Sequence, residues 1–305
     1  MSSAAVNVLF SGRFDADERE AWWQALRTAA PECCWHRDDA PLDRALMDAA
    51  VVANPAPGAL ANLPKLRLIQ SLWAGVDKLL GDATVPIGVP LARMADPAMN
   101  AAMAETALWG VLGLHRRFFD YTAQQARAQW QPHRQRRADE VRVLVLGAGQ
   151  MGSAVAQRLS AQGYSVSSWR ARDAALLAPR LATAEIVVNL LPLTPATRGL
   201  LDARFLAALP RGASLVNLAR GAHVVDADLL AALDSGHLHR AVLDVFHTEP
   251  LPADHAFWRH PQVTVLPHVA ALTDERSAAQ AVACNLRALA QGEAIAHVVD
   301  RGRGY

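Results

Sequence analysis

Gly147-Ala148-Gly149-Gln150-Met151-Gly152 follows directly on the apolar, β-branched run Val141-Arg142-Val143-Leu144-Val145-Leu146 and leads into Ala154, Val155 and Leu159 at helical spacing. A strand, a G-x-G-x-x-G turn and a helix in immediate succession permit few folds. The first glycine allows a tight turn, the second lets a pyrophosphate approach the backbone, and the third lets helix and strand pack closely. The free N–H groups at the start of the helix then favour the phosphates of a dinucleotide. Beyond the turn, residues 165–169, 186–191, 214–218, 241–246 and 263–266 are strand-like, with helical stretches between them. Apolar strands alternating with helices predict a parallel sheet covered on both faces.

The first hundred residues predict a second, smaller α/β unit. Residues 6–10, 50–54 and 66–72 read as strands. Asp15, with Glu18 three positions on, resembles a capping box that opens a helix through Trp22, Trp23 and Leu26, whose tryptophans are expected to pack in the core and at interfaces. From Pro97 to about Tyr121 the spacing of Met103, Ala107, Leu108, Val111, Leu112 and Leu114 predicts one long buried helix. Residues 124–139 are polar and basic without a core pattern. A last helix over 273–291 ends at Gly292, a C-cap.

Bulk properties exclude several classes. The 305 residues suffice for two ordinary domains, and 52% hydrophobic against 19% charged residues supports a sizeable core. The net charge is +1, and the one dense basic run, His133-Arg134-Gln135-Arg136-Arg137, reads as a solvated connector, so no nucleic-acid partner is expected. Three cysteines, Cys33, Cys34 and Cys284, make neither a disulfide framework nor a metal-ligand spacing, which suggests a reducing compartment and no metal. No apolar run approaches the roughly 18 residues of a membrane helix. Residues 6–10 read as a strand rather than a signal peptide. A soluble, cytoplasmic protein with no membrane partner is expected.

Cofactor choice is read about 20 residues beyond the glycine turn, at the end of the second strand, where an acid would hold the ribose hydroxyl of NAD. Here stands Trp169-Arg170-Ala171-Arg172. A guanidinium offers paired donors to a phosphate and keeps its charge, which suits the 2′-phosphate of NADP.

Three further strand ends carry reactive groups: Asn217-Leu218-Ala219-Arg220-Gly221, Asp244-Val245-Phe246-His247-Thr248-Glu249-Pro250 and Leu266-Pro267-His268-Val269-Ala270. Ligands of such sheets lie beyond the carboxyl ends of the strands. Reducing a 2-oxoacid needs a cation for the carboxylate and carbonyl oxygen, an acid to protonate that oxygen, and a partner that keeps the acid charged. An arginine, a histidine and a glutamate at matching strand ends fill those roles.

On these runs, with Trp73-Ala74-Gly75-Val76-Asp77, Asn189-Leu190-Leu191-Pro192, residues 229–236 and the end of the chain over 300–305, the sequence resembles the D-2-hydroxyacid dehydrogenase family, and within it the glyoxylate/hydroxypyruvate reductase A branch, over nearly its whole length. The resemblance implies two Rossmann-like domains of the α/β class, each a doubly wound parallel sheet, with a deep cleft between them. It implies a discontinuous substrate domain over 1–98 plus 273–305, a dinucleotide-binding domain over 99–272, a hinge at the two long helices, and a homodimer. It implies that Arg220 binds and polarises the substrate, Glu249 supports the histidine and His268 donates the proton. The Ala74-Gly75 backbone would receive the substrate carboxylate, with Trp73 nearby. Asn189, Leu190, Leu191, Pro192, Leu218 and Ala219 would line the cofactor, and Asp244 would face its nicotinamide amide.

The expected reaction is therefore NADPH-dependent reduction of glyoxylate or hydroxypyruvate, with NADH as the alternative cofactor. The chain departs from the family pattern twice. Residues 172–186 are short for the usual helix, strand and helix, so a strand is expected to be missing there. Trp73 is bulkier than the glycine common at its position, which bears on substrate choice. Two other readings stay open: a reductase of bulkier 2-oxoacids, and a non-catalytic, dinucleotide-sensing interaction protein on the same fold. An intact Arg220, Glu249 and His268 set disfavours the second.

Overall fold

The computed structural model describes residues 5–305. The chain forms two compact units, Met1–Ala98 with Thr273–Tyr305, and Met99–Leu272. In chain order the first contributes β1 (Asn7–Gly12), α1 (Ala16–Ala29), β2 (Cys34–Arg37), β3 (Ala49–Ala53), β4 (Leu68–Ser71), α2 (Asp77–Leu80) and β5 (Leu91–Ala92). Then follow α3 (Pro97–His115), α4 (Phe118–Ala126), β6 (Arg142–Leu146), α5 (Gln150–Ala161), β7 (Ser165–Trp169), α6 (Leu177–Leu181) and β8 (Ile186–Asn189). The rest are α7 (Ala203–Ala207), β9 (Ala213–Asn217), α8 (Asp226–Asp234), β10 (Leu238–Leu243), β11 (Val263–Val265) and α9 (Glu275–Gln291).

The first unit holds a five-stranded sheet in the order β2-β1-β3-β4-β5, and every pairing is parallel. Its central strand β3 is buried along its whole length, as a parallel strand covered on both faces must be. Asp15 caps α1 by accepting the Glu18 amide at 2.8 Å, and Trp22, Leu26 and Ala29 are its buried stripe. Asp274 caps α9, and Gly292, at φ 72°, ends it in the left-handed conformation that suits glycine. A buried amide pair, Asn285 Nδ2 donating to Gln70 Oε1 at 2.6 Å, ties α9 to β4. The sequence pattern did not reveal β2 or β5. One is a half-exposed edge strand without clean alternation, and the other is two residues long.

The second unit holds a six-stranded parallel sheet, β11-β10-β9-β8-β6-β7. Alternate residues feed two cores. Leu144, Leu146, Val187, Leu215 and Leu243 meet Phe205 and Leu229 on one face, while Val143, Val145, Val188 and Val216 meet Val111, Val155 and Leu159 on the other. No strand lies between β7 and β8; the short α6 and a stretch of 3₁₀ helix fill that interval, and β7 becomes an edge strand.

One expectation is corrected. The single helix expected from Pro97 to about Tyr121 is two helices. It stops at His115, Arg117 adopts a left-handed conformation (φ 62°), and α4 starts at Phe118. The break turns Phe119 back onto α3, edge-on to Trp109 at 5.4 Å. Gly113 makes room for it, because a Cβ there would fall 2.5 Å from the Phe119 ring. The helix then continues to Ala126, inside a stretch with no apolar periodicity to announce it.

Candidate active site

All six strands of the second unit run parallel, so the segments that follow them emerge at one edge of the sheet. After β6 comes the glycine turn. Gly147 has φ +98°, and a Cβ on it would lie 2.6 Å from the Leu190 carbonyl oxygen. A Cβ on Gly152 would lie 1.8 Å from the Gly147 carbonyl oxygen, so this glycine lets α5 seat against the turn. Gly149 differs: nothing lies within 4 Å of where its Cβ would be. That open space stands at the N-terminus of α5, whose N-cap is Gly149 itself and whose first amides receive no side-chain cap. An open cradle of uncapped amides fits a pyrophosphate group.

At the end of β7, Trp169 is buried, and its Nε1 donates to the Asp173 carbonyl at 2.8 Å, so its ring is packing. Arg170 and Arg172 are both exposed.

The ends of β8 and β9 are tied by a network that sequence reasoning did not find. Asn189 Nδ2 donates to Asn217 Oδ1 at 2.9 Å and approaches His223 Nδ1 at 3.0 Å. Asn189 Oδ1 accepts the Leu191 amide at 3.3 Å, and Asn217 Nδ2 donates to the Arg220 carbonyl at 3.0 Å. Asn217 Oδ1 also accepts the Ala219 amide, and His223 Nε2 reaches the Pro192 carbonyl, both at 3.3 Å. Asn189, Asn217 and His223 are wholly buried. Buried polar groups persist when satisfied, and here they fix the backbone of 190–192 and of 218–220.

Arg220 is partly buried and donates from Nη1 to the Ala219 carbonyl at 2.8 Å. Gly221 presses on the next loop: a Cβ there would fall 2.0 Å from the Phe246 carbonyl carbon. In that loop, Glu249 Oε1 accepts the Phe246 amide at 2.9 Å, and Oε2 stands 2.7 Å from His268 Nδ1. Burial pushes the Glu249 carboxyl up. Hydrogen bonds from His268 and the Phe246 amide, with the charges of His268 and Arg220, outweigh it and hold the group below its ordinary value. With Glu249 ionised, Nδ1 carries the ring proton and donates it, which leaves Nε2 uncommitted.

His268 itself has a left-handed backbone, φ 56°, unusual for a residue with a side chain. Asp244 holds it there. Its carboxylate, 1% exposed, accepts the Val269 amide at 2.8 Å and the Ala270 amide at 3.0 Å. Burial raises the Asp244 carboxyl above its ordinary value against those two hydrogen bonds. Thr106 Oγ1, on α3, donates to the Ala270 carbonyl at 2.9 Å and steadies the same loop.

Trp73, Ala74 and Gly75 belong to the first unit, just after β4. The Ser71 hydroxyl donates to the Trp73 carbonyl at 2.9 Å and accepts its amide at 3.0 Å, closing a tight turn. The Trp73 ring meets Trp22 edge-on at 6.1 Å and Phe14 at 6.4 Å. Among the described residues no group of three His, Cys, Asp or Glu side chains is placed to hold a metal, and no helix is long and apolar enough to cross a membrane. The three cysteines are free.

The sequence profile of the D-isomer specific 2-hydroxyacid dehydrogenase NAD binding domain matches residues 108–270. A glyoxylate/hydroxypyruvate reductase A of Serratia proteamaculans (strain 568) is 40% identical over 320 residues, spanning 98% of this chain and all of that one. A D-isomer specific 2-hydroxyacid dehydrogenase from Xanthobacter autotrophicus Py2, solved with NADPH and MES, matches with a TM-score of 0.92 at 38% identity, covering 99% of this chain and 100% of that one. An NADPH-dependent glyoxylate/hydroxypyruvate reductase from Sinorhizobium meliloti, solved with NADP and sulfate, matches at 0.90 and 33%, covering 98% and 100%. With the profile over more than half its length and a relative aligned along nearly all of it, the chain belongs to the D-isomer specific 2-hydroxyacid dehydrogenase family and is a dinucleotide-dependent oxidoreductase.

Proposed function

We propose that this protein reduces small 2-oxoacids, glyoxylate to glycolate and hydroxypyruvate to D-glycerate, with NADPH preferred over NADH. One observation carries the reading: His268 Nδ1 and Glu249 Oε2 stand 2.7 Å apart at the same sheet edge as the open, uncapped start of α5. The relative named for glyoxylate and hydroxypyruvate, and the relatives solved with NADPH or NADP, support the substrate and cofactor.

In this reading Met99–Leu272 is the dinucleotide-binding domain, and Met1–Ala98 with Thr273–Tyr305 is the substrate domain. Gly147, Gly149, Gln150, Met151 and Gly152 hold the pyrophosphate, Arg170 and Arg172 the 2′-phosphate, and the backbone around Trp169 the adenosine side. Leu190, Leu191, Pro192, Leu218, Ala219 and Asp244 line the nicotinamide side. When bound, NADPH supplies the hydride that reaches the 2-oxo carbon. The chain's own residues do the rest. The Arg220 guanidinium polarises the carbonyl oxygen and binds the carboxylate, which the Ala74 and Gly75 amides also receive. His268 Nε2 gives its proton to the oxygen as negative charge develops there. Glu249 keeps the imidazole oriented. By the same family likeness the protein works as a cytoplasmic homodimer.

The test is steady-state oxidation of NADPH and NADH with glyoxylate, hydroxypyruvate and phenylpyruvate. The expected result is a higher kcat/KM for the two small oxoacids and for NADPH. Preference for phenylpyruvate would favour the bulkier-substrate reading, and no turnover of any oxoacid would overturn the proposal.

A further inference from the structure

Arg93 lies just beyond β5 in the first unit. Its amide donates to the His297 carbonyl at 3.1 Å, and the next amide, Met94 N, donates to the Trp73 carbonyl at 3.1 Å. These bonds pin Arg93 beside the Trp73-Ala74-Gly75 turn, at the carboxyl end of that sheet. The side chain is partly buried, yet its guanidinium makes one long hydrogen bond, Nη1 to the Met94 carbonyl at 3.5 Å, and has no carboxylate within 4.0 Å among the described residues. Burial pushes its pKa down, with no nearby acid to oppose the effect.

The other partly buried arginines of this unit are well engaged. Arg19 pairs with Asp38 at 2.8 Å, and Arg37 with Asp39 at 2.8 Å. Arg44 donates to the carbonyls of Ala59 and Ala61 at 2.6 Å, and Arg301 to those of Pro86 and Val89 at 2.9 Å. The nearest acid in sequence, Asp96, is committed to the Ser277 hydroxyl at 2.6 Å and the Ala98 amide at 3.0 Å. A partly buried cation without a counterion lowers stability. It also presents a planar fork of N–H donors in a partly desolvated setting, which is what a carboxylate binds best.

We infer that Arg93 is a substrate-binding residue that engages the carboxylate of the incoming 2-oxoacid beside the Ala74 and Gly75 amides. The inference rests on the function proposed above. It gives the substrate domain a charge of its own for the substrate, beside the Trp73-Ala74-Gly75 turn.

The test combines glyoxylate kinetics of Arg93→Gln and Arg93→Lys with calorimetric binding of oxalate, an unreactive carboxylate, to the NADP-loaded protein. Loss of a charge-assisted hydrogen bond predicts that Arg93→Gln raises the glyoxylate KM and weakens oxalate binding by roughly 10- to 100-fold. The loss falls mainly on KM rather than kcat, the KM for NADPH holds, and Arg93→Lys recovers part of the affinity. A glyoxylate KM and oxalate Kd within about twofold of wild type in Arg93→Gln would overturn the inference. Should the Gln variant not fold, the wild type decides: oxalate must protect Arg93 from phenylglyoxal, read by peptide mass spectrometry, and absence of protection overturns it equally. If the wild type turns over no 2-oxoacid but binds oxalate in an Arg93-dependent way, the functional reading falls and the anion site stands.

Discussion

Glu249 bridges two groups with its two oxygens, taking the Phe246 amide at 2.9 Å on Oε1 and His268 Nδ1 at 2.7 Å on Oε2. The first contact anchors the carboxylate to its own loop, and the second fixes the imidazole of another. His268 is thereby held by its side chain as well as by the Asp244 clamp on the following amides. Removing the ring removes the proposed proton donor and leaves this scaffold in place. His268→Ala is expected to lower kcat by roughly two to four orders of magnitude, the usual worth of general acid catalysis. NADPH affinity, measured by fluorescence titration, should hold. Near-normal turnover would mean that the proton comes from elsewhere.

The pH dependence follows from Glu249. Its carboxyl is held below its ordinary value of 4.5. A group with a depressed folded pKa contributes interactions that are fully present above the ordinary value and are lost as pH falls through the folded one. The acid limb of log kcat/KM against pH for the wild type should therefore lie below pH 4.5. Glu249→Gln should lower kcat/KM by about tenfold or more and abolish that limb, because its amide does not titrate. A wild-type limb above this pH, or an unchanged limb in the Gln variant, would contradict the assignment.

How much of this was legible in the sequence depends on whether the information is local. The strand, glycine turn and α5 lie within twenty residues of one another, so periodicity and spacing were enough. Arg220, Glu249 and His268 were readable because each sits just past an apolar strand, and parallel topology brings such ends to one edge. The break at Arg117 was not readable, since no glycine or proline marks it in sequence and the packing of Phe119 against Gly113 exists only in three dimensions. The Asn189, Asn217 and His223 network was hidden for a related reason. A polar residue at the end of an apolar strand reads as surface until its partners from other strands are known. Arg93 looks ordinary in sequence, because its lack of a counterion exists only in three dimensions.

The glycines of the turn separate folding from binding. A Cβ at Gly152 would collide with the Gly147 carbonyl oxygen at 1.8 Å, whereas one at Gly149 would meet nothing within 4 Å. Gly152→Ala is expected to cost roughly 1–3 kcal/mol or more as an overpacking substitution. Gly149→Ala should fold with stability within about 1 kcal/mol of wild type, since its φ is ordinary for alanine. Its NADPH affinity should nevertheless fall by about tenfold or more, because the methyl group would enter the space proposed for the pyrophosphate. Thermal unfolding without cofactor and NADPH titration distinguish the two. Equal stability losses, or unchanged affinity in Gly149→Ala, would count against the cradle.

Asp244→Asn tests the clamp on His268. The carboxylate accepts two amides in a buried site, and an Asn side chain must turn its own NH₂ toward one of them. Losing one buried hydrogen bond and leaving an amide unsatisfied is expected to cost about 1–3 kcal/mol. With its left-handed backbone released, His268 should also lose alignment, so kcat falls while cofactor affinity changes less. Unchanged stability by chemical denaturation would show that the two contacts carry no weight.

In the proposed reading, cofactor preference rests on the end of β7. Trp169 is buried there and fixes the strand end, while Arg170 and Arg172 are exposed just beyond it, where an acidic residue would hold the ribose of NAD. No strand follows β7 before β8, so β7 is the sheet edge, and the two exposed arginines stand just beyond its end. A guanidinium bound to a phosphate contributes a charge-assisted pair that NADH has no group to form. Arg170→Asp should therefore raise the KM for NADPH by roughly 10- to 100-fold, the range expected for such a contact, and leave the KM for NADH within about threefold. Arg172→Asp should act in the same direction. The measurement is kcat/KM for both cofactors at saturating glyoxylate, repeated at low and high salt, since an exposed pair weakens as ions screen it. An equal loss with NADPH and NADH would mean that the arginines support the fold of this edge rather than recognise the 2′-phosphate.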